Sequence, residues 1–294
     1  MFTVTTAVKT STASRVMTAA VKSTTPTLTH VIPSQGGHDV SAVTSLGDDV
    51  FVALDKNDQQ VEVYDAVTLT LQRRLTVPRP CVWLSGLAAC PNYNCLYASD
   101  SINNSVYRVE LSGSNAVKKW SVARFPRGLS VNSVHNLIVA CGGKSANKLT
   151  EYTTYGTLVR VICLQAGVTQ PSHAIQLSTG DYVVSLDVVS VVGVDGQVVR
   201  SYGQSQTSDV GQMKYPTNLA VTKNDDILVV DSNNNRILSI NSLLGSIQEL
   251  ALSVDGGIQE PWGLCLVESQ GRLYVGEWDG QHRVLVFDGV VFVS

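Results

Sequence analysis

Four prolines, Pro126, Pro171, Pro216 and Pro261, stand 45 residues apart, and each opens the same phrase. The clearest copy reads Pro216-Thr217-Asn218-Leu219-Ala220-Val221, then the turn Lys223-Asn224-Asp225-Asp226, then Ile227-Leu228-Val229-Val230-Asp231, then Ser232-Asn233-Asn234-Asn235-Arg236-Ile237. The last copy runs from Pro261-Trp262-Gly263-Leu264 through Arg272-Leu273-Tyr274-Val275-Gly276-Glu277 to His282-Arg283-Val284-Leu285-Val286-Phe287. Two weaker copies begin near Leu84 and Asp39, where the proline is lost. A period of about 40–50 residues holding four short strands is that of a propeller blade. Six such copies fill the 256 residues from Asp39 to Ser294. The expected fold is therefore all-β, a six-bladed β-propeller of four-stranded blades.

The strands within a copy grade in polarity. The first is short and apolar (219–221, 264–267) and the second β-branched (50–54, 182–186, 227–230). The third alternates, as in Val61-Glu62-Val63-Tyr64, and the fourth is polar or charged, as in Leu71-Gln72-Arg73-Arg74-Leu75 and Val117-Lys118-Lys119-Trp120. Such grading fits radial blades whose first strands line the axis. No segment sustains an apolar period of about 3.6 residues, so helix is expected to be nearly absent. Closure needs the two chain ends to meet, because an open sheet edge invites aggregation. Thr29-His30-Val31-Ile32-Pro33 resembles the fourth strand Arg74-Leu75-Thr76-Val77-Pro78 and is predicted to pair beside 283–287; Val290-Val291-Phe292-Val293 is the competing outer strand.

Composition narrows the function classes. Only 15% of residues are charged and the net charge is −3, which excludes a uniformly basic nucleic-acid binder. No apolar run reaches the roughly 18 residues of a membrane span, so a soluble, cytoplasmic, monomeric protein is expected. The six cysteines are scattered without metal-ligand spacing; Cys90 and Cys95 flank the turn Pro91-Asn92-Tyr93-Asn94, and all six are expected as buried small hydrophobes. Residues 1–28 are rich in Ser and Thr, with no acid before Asp39, and read as a disordered low-complexity segment ahead of a propeller at 29–294.

Written as a pattern, the last two copies are Pro-x-(Gly/Asn)-Leu-x-(Val/Leu), a β-branched strand ending in Asp or Glu, then Asn/Gln-x-Arg-(Ile/Val). This resembles the NHL repeat of six-bladed propellers, across 39–294 and most clearly from Pro171 onward. The stretch His173-Ala174-Ile175-Gln176-Leu177-Ser178-Thr179-Gly180-Asp181-Tyr182-Val183-Val184-Ser185 is similar to the NHL domains of tripartite-motif-like proteins. In that group the propeller is a recognition module for proteins or RNA, often behind a RING domain. No RING or B-box spacing occurs here, so ligase activity is not implied.

Three sets of residues are candidates for chemistry. An acid ends the second strand as Asp55, Asp100, Asp187, Asp231 and Glu277, while the copy at Pro126 has Cys141 there. Its recurrence implies a structural acceptor for backbone N–H groups, with Arg236 and Arg283 as partners. The residues opening the first strands, Ser41, Gly86, Gly128, His173, Asn218 and Gly263, should ring one mouth of the channel. That ring lacks the six or more oxygens a hard cation wants, and His173 has no companion ligand, so neither metal nor cofactor is expected. Loops on the same face carry Arg79, Arg124, Arg127, Tyr215 and Trp262, near the turns 144–148, 233–235 and 279–282. Arginine with aromatics is the composition of protein hot spots and of single-stranded RNA platforms. No nucleophile–base set, Walker loop or dinucleotide fingerprint appears. The expected function is a non-catalytic recognition scaffold that binds a protein partner through Arg79, Arg124, Arg127, His173, Tyr215 and Trp262. RNA binding is the first alternative, and a metal-dependent hydrolase or lyase at the channel mouth the second.

Overall fold

A computed structural model describes residues 25–34, 36–54, 60–81, 83–113, 115–143, 147–168, 170–185, 187–203, 212–241, 245–278 and 281–292. These form six antiparallel four-stranded sheets, each hydrogen-bonded in simple first-to-fourth order. Blade 1 spans 40–76, blade 2 84–121, blade 3 126–163, blade 4 173–202, blade 5 216–249, and blade 6 261–288. The described residues include no α-helix, only single turns of 3-10 helix such as Ser232–Asn234. The first strand of each blade touches the first strand of the next all the way round, so the ring is closed.

The apolar pattern explains this arrangement. Each sheet is buried on both faces except at its outer strand, so its inner strands read as β-branched runs. The core is divided into six clusters, one between every pair of neighbouring blades. Phe51, Leu96 and Tyr107 pack between blades 1 and 2, and Leu273, Leu285 and Phe287 lie between blades 5 and 6. Outer strands balance their charges locally: Arg74 Nη2 lies 3.0 Å from Glu62 Oε1, and Arg160 Nε donates to Glu151 at 2.5 Å.

Blade 6 takes its fourth strand from the other end of the chain. The strand Thr27–Pro33 pairs antiparallel with Arg283–Asp288, in register Val31↔Leu285, Ile32↔Val284 and Pro33↔Arg283. This is the latch that the likeness of residues 29–33 to a fourth strand predicts, and it begins two residues before the boundary drawn from composition. Ile32 is buried in the cluster between blades 6 and 1, and Thr29 Oγ1 donates to Val286 O at 3.2 Å. The competing segment forms no strand over 290–292. Residues 1–24 of the Ser/Thr-rich segment lie outside the described residues. Cys90 and Cys95 face each other in register as buried free thiols, and Cys81 and Cys141 are buried too, but Cys163 on the outer strand of blade 3 is exposed and Cys265 half-buried, which corrects the expected burial of all six.

Glycines at the inner strands let the blades approach. A Cβ at Gly128 would stand 2.6 Å from Ser172 O, and one at Gly86 would collide with the Arg127 carbonyl. Gly128 N–H instead donates to Ser172 O at 2.8 Å, and Ser99 Oγ to Arg127 O at 2.6 Å, so neighbouring blades are stitched together at the axis. Two of the ring positions are therefore small for packing reasons.

Candidate functional site

The residue just before each repeated proline, the position that opens a copy, is held in one conformation. Phe125, Gln170, Tyr215 and Glu260 all have left-handed backbone, with φ of 50, 60, 57 and 36 degrees, and each precedes one of the repeated prolines. A left-handed non-glycine residue costs about 1–2 kcal/mol, so its recurrence needs a restraint. Part of it comes from the end of the second strand: Gly142 N–H donates to Phe125 O at 2.8 Å, and Trp278 N–H to Glu260 O at 3.0 Å. Ser101 N–H does the same to Trp83 O at 3.3 Å, which puts Trp83 in this column too.

The recurring acid supplies the rest. Asp231 is fully buried; its Oδ1 accepts Lys214 N–H at 2.6 Å, and its Oδ2 accepts Asn234 Nδ2 and Arg236 Nε, each at 2.8 Å. Arg236 also donates to Gln212 O at 3.0 Å, clamping the loop that delivers Tyr215. Blade 6 repeats the device: Gln259 N–H binds Glu277 at 2.8 Å, Arg283 Nε binds it at 2.7 Å, and Arg283 reaches Gly257 O at 3.3 Å. Asp100 serves its own turn by accepting Ile102 N–H at 3.2 Å and Asn103 N–H at 3.1 Å. The structural role expected of these acids holds at Asp100, Asp231 and Glu277. Asp55 lies outside the described residues. Asp187 departs from the pattern: it is exposed, and the second strand of blade 4 stops at Ser185, whose hydroxyl donates to Thr217 O at 2.7 Å.

The two columns, before and after the opening position, enclose a cavity of about 370 Å³ at the channel mouth. Its walls include Trp83, Ile102, Phe125, Arg127, Tyr215, Trp262 and Trp278, with serine and threonine hydroxyls and Asn218 between them. The rings form one continuous chain. Trp83 stacks on Trp278 at 5.8 Å with planes 12° apart, Trp278 meets Trp262 at 5.0 Å, and Trp262 meets Tyr215 at 5.8 Å. Large apolar groups stay open to solvent there: Ile102 is 49% exposed, Tyr215 42%, Phe125 39% and Trp83 36%. Among the described residues Arg127 is the cavity's one charged wall.

Of the six residues expected at a partner site, Arg127, Tyr215 and Trp262 line this cavity. Arg124 stands beside it, exposed, with its guanidinium 5.5 Å from the Phe125 ring centre. Arg79 is exposed but forms no part of the wall. His173 lies beneath the mouth and is only 5% exposed, so its placement among the surface contacts is corrected. Its Nε2 contacts Leu129 O at 3.0 Å and its Nδ1 accepts Leu219 N–H at 3.1 Å, tying blade 4 to both neighbours. Trp83, Ile102, Phe125 and Trp278 were not anticipated. Their signal was the column itself: Trp83 and Phe125 occupy the place that Tyr215 holds in the clearest copy.

Burial pushes the His173 imidazole from its ordinary 6.5 down to about 4, the bond to Leu129 O opposing this in part. An imidazolium also could not accept Leu219 N–H. The folded protein thus binds fewer protons than the unfolded chain between about pH 4 and 6.5, and stability falls as pH drops through that window. The loss should approach about 3 kcal/mol, at 1.36 kcal/mol per unit. Urea titrations at pH 7 and pH 4.5 should show it, and a His173→Leu variant should lose most of that pH dependence. An equal dependence in the variant would assign it elsewhere.

Among the described residues no group of three or more His, Cys, Asp or Glu side chains is placed to hold a metal ion. None of their helices is long and apolar enough to cross a membrane. The NHL repeat model matches residues 213–238, the span from the clamped loop through the third strand of blade 5. No curated protein matches the sequence. Among solved structures, hydrazine synthase of Kuenenia stuttgartiensis is similar at 21% identity, with 88% of this chain and 79% of that one covered and a TM-score of 0.63. Virginiamycin B lyase from Staphylococcus aureus is similar at 13% identity, with 91% and 90% covered and a TM-score of 0.62. A streptogramin B lyase structure gives 13% identity, 88% and 96% coverage and a TM-score of 0.63. At these identities the likeness is one of fold alone. The chain is a six-bladed β-propeller carrying an NHL repeat.

Proposed function

We propose that this propeller is a non-catalytic recognition module that binds a protein partner at the aromatic mouth of its channel. The observation that carries the proposal is the chain of rings from Trp83 through Trp278 and Trp262 to Tyr215, left partly open to solvent around a cavity of about 370 Å³. Aromatic anchors beside an arginine are the typical centre of a protein hot spot, and rigid blades hold them at little entropic cost. RNA is less well served, because a phosphate backbone is followed by a row of cations and the described residues of the cavity wall supply Arg127 alone. Among those described residues the wall also offers a hydrolytic metal site no carboxylate. A cytoplasmic location accords with six cysteines that are all free thiols.

Affinity capture from cell extract, with the wild type and a Tyr215→Ala/Trp262→Ala variant side by side, tests the proposal. Each anchor should contribute about 2 kcal/mol or more, so the double variant should lose at least roughly a hundredfold in partner affinity while its far-UV spectrum is unchanged. Equal capture by both proteins would place recognition elsewhere on the surface.

A further inference from the structure

Blade 3 lacks the acid that blades 2, 5 and 6 keep. Opposite the opening position, blade 2 pairs Leu84 with Asp100, blade 5 pairs Pro216 with Asp231, and blade 6 pairs Pro261 with Glu277. Blade 3 pairs Pro126 with Cys141, a buried neutral thiol, and Lys148 opens its third strand where Arg236 opens that of blade 5. Next to Pro126 stands Arg127, and among the described residues no ion pair includes it. Its side chain is seated: a Cβ added at Gly142 would come within 2.7 Å of Arg127 Nε and 3.0 Å of Cδ. Among the described residues, the one cation in the cavity wall therefore lies over Gly142, beside a missing carboxylate.

The cavity is also small. Its volume of about 370 Å³ is near the lower end for a single-ligand site. A second cavity of about 230 Å³, lined by His173, lies further along the channel, and the two share Asn218. A space of this size admits a chain end more readily than a chain passing through. Indole walls want a large apolar group, while an arginine without an acid beside it wants a carboxylate, which it can hold through two parallel hydrogen bonds.

We propose that the mouth receives the C-terminal residue of a partner polypeptide, its α-carboxylate on Arg127 and its large apolar side chain among Trp83, Tyr215, Trp262 and Trp278. This rests on the recognition reading above and names the part of the partner that is recognised. The probes are a synthetic tetrapeptide ending in phenylalanine with a free carboxylate, the same peptide amidated, and N-acetylphenylalanine. Binding is read from tryptophan fluorescence and confirmed by calorimetry.

The free-acid peptide should bind, amidation should weaken it roughly tenfold or more, and Arg127→Gln should abolish that difference. Equal binding of acid and amide to the wild type would overturn the carboxylate assignment and leave the mouth as a recognition surface. N-acetylphenylalanine binding as tightly as the peptide would overturn the polypeptide source in favour of small aromatic acids. No binding by any probe would overturn the inference, and the capture experiment would still judge the recognition reading by itself.

Discussion

Deleting residues 1–33 is expected to lower the Tm by roughly 10 °C or more and to make unfolding irreversible. The deletion removes the fourth strand of blade 6, with six paired positions along Arg283–Asp288. It also withdraws Ile32 from the cluster that joins blade 6 to blade 1 through Val40, Val43 and Val284. Losing a buried isoleucine costs about 2–5 kcal/mol, and in a domain of this size each kcal/mol corresponds to about 2–4 °C. What remains is an exposed edge on the strand that ends the ring, which invites intermolecular pairing. Ile32→Ala, leaving the backbone pairing intact, should give a smaller loss of about 2 kcal/mol or more by urea titration. A melt of the truncated protein that coincides with the full chain's would mean that the strand adds nothing to closure.

Asp231→Ala should be the most damaging single substitution of a polar residue, at about 3–5 kcal/mol. The variant leaves the guanidinium of Arg236, whose side chain is only 12% exposed, without the carboxylate 2.8 Å away. Lys214 N–H loses its acceptor at the same time. Removing the charge as well, in Asp231→Ala/Arg236→Met, should recover part of the loss, because the half-buried guanidinium, left only the longer 3.7 Å contact to Glu249 among its described carboxylates, is then gone. The effect reaches the site: the loop from Gln212 to Tyr215 is what the pair holds, so partner affinity of a folded Asp231→Ala sample should fall although Asp231 touches no ligand. Chemical denaturation would check the first effect. A cost below about 1 kcal/mol would class the pair with surface salt bridges.

The blades are legible because β-branched inner strands buried on both faces give way to a polar outer strand in each copy, and the last four copies repeat every 45 residues; both are local readings of the chain. The closing strand was legible for the same reason, since residues 29–33 look like the fourth strand of blade 1. The mouth was legible only where it adjoined the clear phrase. Tyr215 and Trp262 flank repeated prolines and are named from the sequence; Phe125 flanks Pro126 but is missed beside the more conspicuous Arg124 and Arg127, while Trp83 precedes a copy without the proline and Trp278 follows the acid instead. Arg79 was misplaced for the same reason, since it precedes a copy whose phrase is eroded. His173 shows the other limit. Its partners Leu129 and Leu219 are 44 and 46 residues away, and a lone histidine gives no sign of which carbonyl and which N–H will meet it.

Hydroxyl-radical footprinting of the propeller bound to its captured partner tests the central claim most directly. The molecule offers a second aromatic cluster for comparison, where exposed Tyr93 and Tyr155 meet at 6.2 Å and Lys118 lies over the Tyr155 ring. Recognition at the channel mouth predicts strong protection of Trp83, Phe125, Tyr215 and Trp262, with Tyr93 and Tyr155 labelled as in the free protein. Protection of Tyr93 and Tyr155, with the mouth still open to label, would contradict it.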